Sequence, residues 1–433
     1  LTGAAWRPVL TALLVGAVST AYVLAGSIET AEARQARPTE AEVLELDLAF
    51  YQRRVARDSF AARDRAELAR LYLQRARSTG AGDGDLVRAE RYARESLALR
   101  RGRNEEAHLV LATALMGQHR FAEARTVAEH LVALDPTARP VRALLGEILL
   151  ELGDYPDAAR IFGTLATVRT ELSVAPRFAR WEEIRGRPAE ARVLLRRARD
   201  EAARRHGMPR AQLAWFHWRL ADLALRNDRL AEAEKELLAG LKVAPEDHRL
   251  LDGLARLALA SHRWAEAIDR GEQAIARTLD PATLSLLALA HRAAGDSARA
   301  VEYERAMSVA VQGQSGQLHR LWSLSLLDRG EEVPAVLRRA QEDIRARRDV
   351  YGWDLLAWAL HRAGREEEAA RAATRARAMG TRDAMLFYHA AMIDAALGRS
   401  GSACTHLKTA LEINPRWHPF QPDEARRTLA CPS

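Results

Sequence analysis

Two cysteines in 433 residues exclude a disulfide-stapled scaffold or a cysteine-rich zinc module. Aromatic residues are scarce, at 6%, and β-branched residues are sparse, which argues against a large sheet. Lysine is almost missing: Lys235, Lys242 and Lys408 stand against 62 arginines, so the formal charge of +7 is an arginine charge. Basic and acidic residues alternate without a run of five or more like charges, which leaves no footprint for a nucleic-acid partner. Catalytic signatures are absent too: there is no GxSxG, Walker loop, HExxH or GxGxxG after a strand. The 13 histidines are scattered, none pairs with another at i, i+4, and none shares a ligand spacing with both cysteines. No metal or cofactor is therefore expected, and the chain does not read as an enzyme. What is present is alanine, about one residue in five within an apolar content of 48%, the composition of closely packed helices.

The amino terminus is of a different kind. Val9 to Ile28 is twenty residues without a charge, long enough for a spanning helix. Gly16, Ser19, Thr20 and Gly26 dilute it, and Val23-Leu24-Ala25 and Ala31-Glu32-Ala33 both fit the small-residue pattern before a cleavage point. Residues 1–28 thus read either as a retained membrane anchor or as a cleaved signal, followed by a linker over 29–39. Both readings export the remaining chain to the periplasmic or extracytoplasmic side. Thr39 is placed to cap a leading helix of about Glu40 to Arg57, within a segment 40–59, whose Val43, Leu44, Leu46, Leu48 and Tyr51 would cover the first repeat.

From residue 60 onward the sequence repeats. Ala124, Ala158, Ala191, Ala233, Ala267, Ala300, Ala335, Ala369 and Ala403 stand 34, 33, 42, 34, 33, 35, 34 and 34 residues apart. Twelve residues before each stands another small residue: Ala112, Gly146, Ala179, Ala221, Ala255, Ala288, Ser323, Ala357 and Ala391. Two helices pack antiparallel at short distance where neither has a bulky side chain at the crossing, and one small residue per helix meets that condition. Between them, seven residues after the first small residue, stand Gly153, Gly186, Gly295, Gly330, Gly364 and Gly398, with His119, Asp228 and His262 in the other units. Glycine suits a left-handed helix stop at this position. Asp135-Pro136, Ala244-Pro245 and Asn414-Pro415 end second helices. Two eight-residue insertions interrupt the period. One, around Ser78 to Asp85, reads as a long loop in the first unit; the other, over Arg196 to Arg210, reads as a second helix prolonged to about His206 and stopped by Gly207 and Pro209.

These residues resemble the tetratricopeptide repeat family, whose pattern is met by Leu145-Gly146, Leu149, Gly153, Tyr155, Ala158 and Phe162. Trp353, Leu356-Ala357, Leu360, Gly364 and Ala369 fit nearly as well, as do Phe387, Ala391, Gly398, Ala403, Leu407 and Pro415. The resemblance covers about residues 60–433 and includes export-linked bacterial members of the family. It implies an all-α fold: a right-handed α-solenoid of about ten helix pairs, with a leading helix and a short carboxyl-terminal capping helix near Asp423 to Ala430. It also implies a non-enzymatic scaffold that binds a peptide or helix of a protein partner along the first helices. The groove positions carried over are Arg180, Trp215, Trp218, Asp222, Arg249, Arg256, Arg292, Arg320, Tyr351, Trp358, Arg362 and Tyr388, residue types enriched at binding hot spots. Arg180, Arg249, Arg256 and Arg292 together would attract an acidic segment. The chaperone-tail clamp of some members needs lysine and asparagine in the groove, and Asn104, Asn227 and Asn414 occupy none of those positions.

Two other readings stay beside the scaffold: a nucleic-acid-binding helical repeat, which lacks the polar code and basic groove it needs, and a targeting module of an enzyme complex. Cys404 opens the last second helix and Cys431 closes the cap, so their ends should meet. The pair either closes a loop of 27 residues as a disulfide or remains two thiols with Cys404 in the core.

Overall fold

The computed structural model describes residues 38–79, 82–312, 320–429 and 431. The apolar segment Val9 to Ile28 lies outside these, and among the described residues no helix is long and apolar enough to cross a membrane. Among the described residues the regular elements are twenty-two α-helices and one short 3-10 turn. The chain divides into two compact units between Arg53 and Arg54, within the first helix, α1 (Glu40–Arg57). Thr39 and Glu42 cap α1 reciprocally: the Glu42 carboxylate accepts from Thr39 N at 2.7 Å, and Thr39 Oγ1 accepts from Glu42 N at 3.2 Å.

The second unit holds ten antiparallel helix pairs. The first five are α2 (Ala62–Thr79) with α3 (Gly82–Leu99), α4 (Glu105–Gly117) with α5 (Phe121–Leu134), α6 (Arg139–Leu152) with α7 (Tyr155–Thr164), α8 (Ala175–Ile184) with α9 (Pro188–Arg204), and α10 (Arg210–Arg226) with α11 (Leu230–Val243). The remaining five are α12 (His248–Ala260) with α13 (Trp264–Ile275), α14 (Pro281–Ala293) with α15 (Ser297–Gln312), α16 (Arg320–Arg329) with α17 (Val333–Ala346), α18 (Val350–Arg362) with α19 (Glu366–Ala376), and α20 (Ala384–Ala396) with α21 (Ser400–Ile413). A cap, α22 (Gln421–Leu429), packs on α20 and α21.

The small-residue register explains the packing. Ala112, Ala124, Ala158, Ala179, Ala191, Ala221, Ala233, Ala255, Ala267, Ala357 and Ala369 are fully buried at the crossings. Phe162 shows what such a residue admits: its ring fills the space above Gly146, where a Cβ would come within 2.9 Å, and stacks on Trp181. Every predicted helix stop has positive φ, from Asp228 at 54° to Gly295 at 87°, including His119 and His262, which lack glycine's freedom. The stop orients the chain for the second helix, and Gly153 N and Asp154 N bond back to Leu150 O and Leu149 O.

Three details depart from the sequence reading. The insertion in the first pair is no long loop: α2 runs to Thr79 and α3 starts at Gly82, so the extra residues prolong both helices and only residues 80–81, outside the described set, separate them. In the eighth pair Ala335 is not the buried contact. Gly330 and Glu332 both adopt positive φ, the turn gains a residue, and Val336 takes the fully buried position instead. The prolonged second helix α9 ends at Arg204 rather than near His206, with Gly207 at φ 74° beyond it. At the carboxyl end a disulfide joins Cys404 to Cys431.

Candidate functional site

First helices place one residue in about every third or fourth on the inner side of the array, and the middle pairs set around a cavity of about 430 Å³ there. Its walls are Glu147 and Glu151 from α6, Pro176 and Arg180 from α8, Trp215, Trp218, Arg219, Asp222 and Arg226 from α10, Tyr351 from α18 and Asp383 before α20. Helices nearly two hundred residues apart thus share one site.

Behind the cavity runs an ion-pair network. Glu183 accepts from Arg219 at 2.5 Å and Arg226 at 2.7 Å, with Arg180 at 3.6 Å. Asp222 accepts from Arg219 and Arg226, each at 2.9 Å, and from Arg256 at 3.2 Å. Arg256 passes the chain on to Asp252 at 2.8 Å, which also accepts from Thr283. The network is enclosed by protein yet wetted, since 31% of the Arg226 side chain and 38% of Arg256 still meet solvent. Burial pushes the Asp222 and Glu183 carboxyls up, but the guanidinium groups around them more than reverse this and hold both below the usual range. Asp252, Asp383 and Glu151 have fewer such neighbours, and burial leaves them above it. Burial also disfavours charge on Arg180, yet Tyr351, Glu183 and Glu151 together hold its pKa above the ordinary value. The Arg180 guanidinium lies 5.6 Å from the centre of the Tyr351 ring, a cation–π contact across the cavity.

Of the twelve carried-over groove positions, Arg180, Trp215, Trp218, Asp222 and Tyr351 line this cavity, and Arg256 lies directly behind it. The others do not join them. The expected acidic-segment cluster does not form, because its cations are already neutralised: Arg249 lies on Asp247 at 2.5 Å, Arg256 between Asp252 and Asp222, and Arg292 on Glu304. Arg320 is no groove residue; it bridges Asp343 and Asp349, each at 2.8 Å, and so braces the Asp349 cap of α18. Trp358 and Tyr388 are corrected as well. Each is 3% exposed, because the chain's own end occupies the space where a partner was expected. Trp417 packs on Tyr388 at 5.5 Å, and Asp328 accepts both from Trp358 Nε1 at 2.8 Å and from Gln421 Nε2 at 3.2 Å. Arg362 is exposed at the end of α18.

Glu147 and Glu151 were legible and missed. They follow Gly146 by one and five residues, the same offsets at which Asp222 and Arg226 follow Ala221. No sequence signal marks Asp383, which enters the site only because two distant parts of the array meet.

An array of helix pairs with a near-constant period, left-handed stops and an inner face built by first helices defines an α-solenoid of the helical-repeat class. A tetratricopeptide repeat family model matches residues 115–169, covering the third pair and its approach. Residues 115–169 are thus similar to a tetratricopeptide repeat, and the helix pairs described before and after them share its helix–turn–helix arrangement. Among solved structures, it is similar to the human IFIT1 dimer with PPP-AAAA, at 15% identity over 74% of this chain and 73% of that one, TM-score 0.46. It is also similar to the APC/C hetero-tetramer Cut9-Hcn1, at 12% identity over 90% and 96%, TM-score 0.35. A tetratricopeptide repeat protein from Parabacteroides merdae aligns at 13% identity over 77% and 98%, TM-score 0.29. No curated protein sequence matches the chain.

Proposed function

We propose that this protein is a non-enzymatic interaction scaffold at the cell envelope, taking a segment of a protein partner into the cavity between α6, α8, α10 and α18. The observation that carries this reading is the wall itself. Trp215, Trp218, Tyr351 and Arg180 face about 430 Å³ of space, and neither indole N–H nor the Tyr351 hydroxyl has a hydrogen-bond partner among the described residues. Rigid aromatic surface with free donors around a pocket of this size is the make-up of a binding hot spot. The inner face of helical repeats generally serves protein partners, and the paired carboxylates and guanidinium groups here neutralise one another rather than poise a proton for chemistry. Residues 9–28 would hold the scaffold at the membrane, or direct its export and be removed.

In-cell crosslinking of the full chain, compared with the Trp215→Ala/Trp218→Ala variant, tests the site. Loss of two hot-spot aromatics is expected to reduce partner recovery on the order of thirtyfold. Recovery of the same partners at the same yield from a folded variant sinks the assignment. Fractionation of the chain with and without residues 9–28 tests the location, and a soluble cytoplasmic full-length chain would contradict it.

A further inference from the structure

The cavity is closed along one side by a row of contacts that the repeat pattern does not require. A helix ends with carbonyl groups that have no partner within it. At the ends of α6, α8 and α10, three of these carbonyls are capped from far along the chain. Leu152 O accepts from Arg348 N at 2.9 Å, Ile184 O from Thr381 Oγ1 at 2.6 Å, and Leu225 O from Asn414 Nδ2 at 3.1 Å. The donors lie before α18, before α20 and after α21, so each rung advances one repeat on both sides. Side chains reinforce the row. Arg347 reaches Glu151 at 3.2 Å and lies 4.4 Å from the centre of the Phe121 ring; Tyr155 Oη accepts from Val350 N at 2.8 Å; Arg416 meets Asp228 at 2.5 Å. This approach is possible only because two of the stops are glycine. A Cβ on Gly153 would stand 2.2 Å from the Arg348 carbonyl carbon, and one on Gly186 would stand 2.1 Å from Gly380 O, whereas Gly295, Gly364 and Gly398 face open space.

The seam is polar where the packing on either side is not. The apolar cluster around Leu326, Leu355 and Trp358 stays within the last three pairs and the cap, and that around Leu225, Leu237 and Leu254 stays within the fifth and sixth pairs. An internal interface held by capping hydrogen bonds and ion pairs resembles a transient contact, because water can replace each of its bonds on opening.

We propose that this row of turns is a gate over the cavity, which opens along its length so that a partner segment enters sideways, without needing a free end to thread. The proposal rests on the reading of the cavity as the binding site. Closed, the gate brings Tyr351 over Arg180 and sets Asp383 against the α10 wall; open, it uncovers Trp215 and Trp218. Its cohesion depends on Arg347–Glu151 and Arg416–Asp228, so salt weakens it.

Hydrogen exchange of the full chain tests the gate, read at the Arg348 and Val350 amides, which bond across it, and at amides inside α18, which do not. The expected result is exchange of the two seam amides about tenfold or more ahead of the α18 interior, accelerating severalfold between low salt and about half-molar NaCl while the interior stays unchanged. Gly186→Ala should speed the seam amides further, and Gly364→Ala, at an equally left-handed but open stop, should leave them alone. Thr381→Val removes one rung at nearly constant shape and gives the same answer if Gly186→Ala does not fold. Seam amides that exchange only together with the α18 interior, in wild type and in Thr381→Val alike, overturn the gate. A gate that opens as expected while Trp215→Ala/Trp218→Ala leaves partner recovery intact instead refutes the binding site and spares the gate.

Discussion

The fifth and ninth pairs place a tryptophan and an aspartate at the same two positions of their first helices, in exchanged order, and end in opposite situations. Trp218 and Asp222 stand three before and one after Ala221; Asp354 and Trp358 stand three before and one after Ala357. In the fifth pair these positions face the cavity, and Asp222 is shared by three guanidinium groups. In the ninth they are sealed. Asp354 holds the imidazole of His389 at 3.0 Å, and Trp358 stacks on that ring and packs against Tyr388, which Trp417 covers in turn, while Asp328 joins Trp358 to Gln421. The difference teaches that repeat register specifies which residues point inward but not whether the inner space stays open, since that depends on what the rest of the chain brings there.

The largest test of this contrast is a pair of tryptophan truncations. Trp358→Ala removes a buried ring and its bond to Asp328, and is expected to cost about 3–5 kcal/mol in urea unfolding. Trp215→Ala, on the open wall, should cost less than about 1.5 kcal/mol. Equal costs would mean that the two inner faces are equally packed.

The cap offers the next. Reducing the Cys404–Cys431 bond releases a loop of 27 residues, which the chain-entropy relation values at about 3–4 kcal/mol. Exchange protection should fall first around α22 and then at Trp358 and Tyr388, with the α10 wall unaffected. Loss of protection throughout the array on reduction would contradict a locally acting cap.

The smallest effect is on acid stability. Asp222 and Glu183 have folded pKa values below their ordinary ones, so they stabilise the fold above the ordinary carboxylate range, and that contribution is lost as pH falls through the depressed folded values. Asp222→Asn should therefore lower stability near neutral pH by about 2–3 kcal/mol, less than a fully dry ion pair because the network is wetted. The gap between variant and wild type should narrow steadily below about pH 4. A gap that does not change between neutral pH and pH 3 would show that the charge on Asp222 contributes nothing.

Most of the fold was legible because its determinants are local. Small residues at a fixed spacing bring helices together, and a stop seven residues later turns the chain, even where His119, Asp228 and His262 must adopt positive φ to do so. The slip at Ala335 and Val336 was not legible, because one extra residue in a turn leaves the count of apolar positions almost unchanged. Of the site, the α8 and α10 contributions followed from register, whereas Asp383 and the placing of Tyr351 against Arg180 did not. Those depend on contacts between residues separated by up to 197 positions, for which a repeating sequence contains no periodic signal.

The sequence by itself determined the helix pairs, their period, their stops and the inward-facing positions, because each of these is decided by steric and capping requirements within about one repeat. Only the tertiary structure decided which inner face stays open. Closure of the turns of the third, fourth and fifth pairs onto the turns that flank the ninth and tenth encloses one cavity, and the carboxyl-terminal segment fills the other, since both outcomes come from the accumulated rotation of many pairs rather than from any one of them.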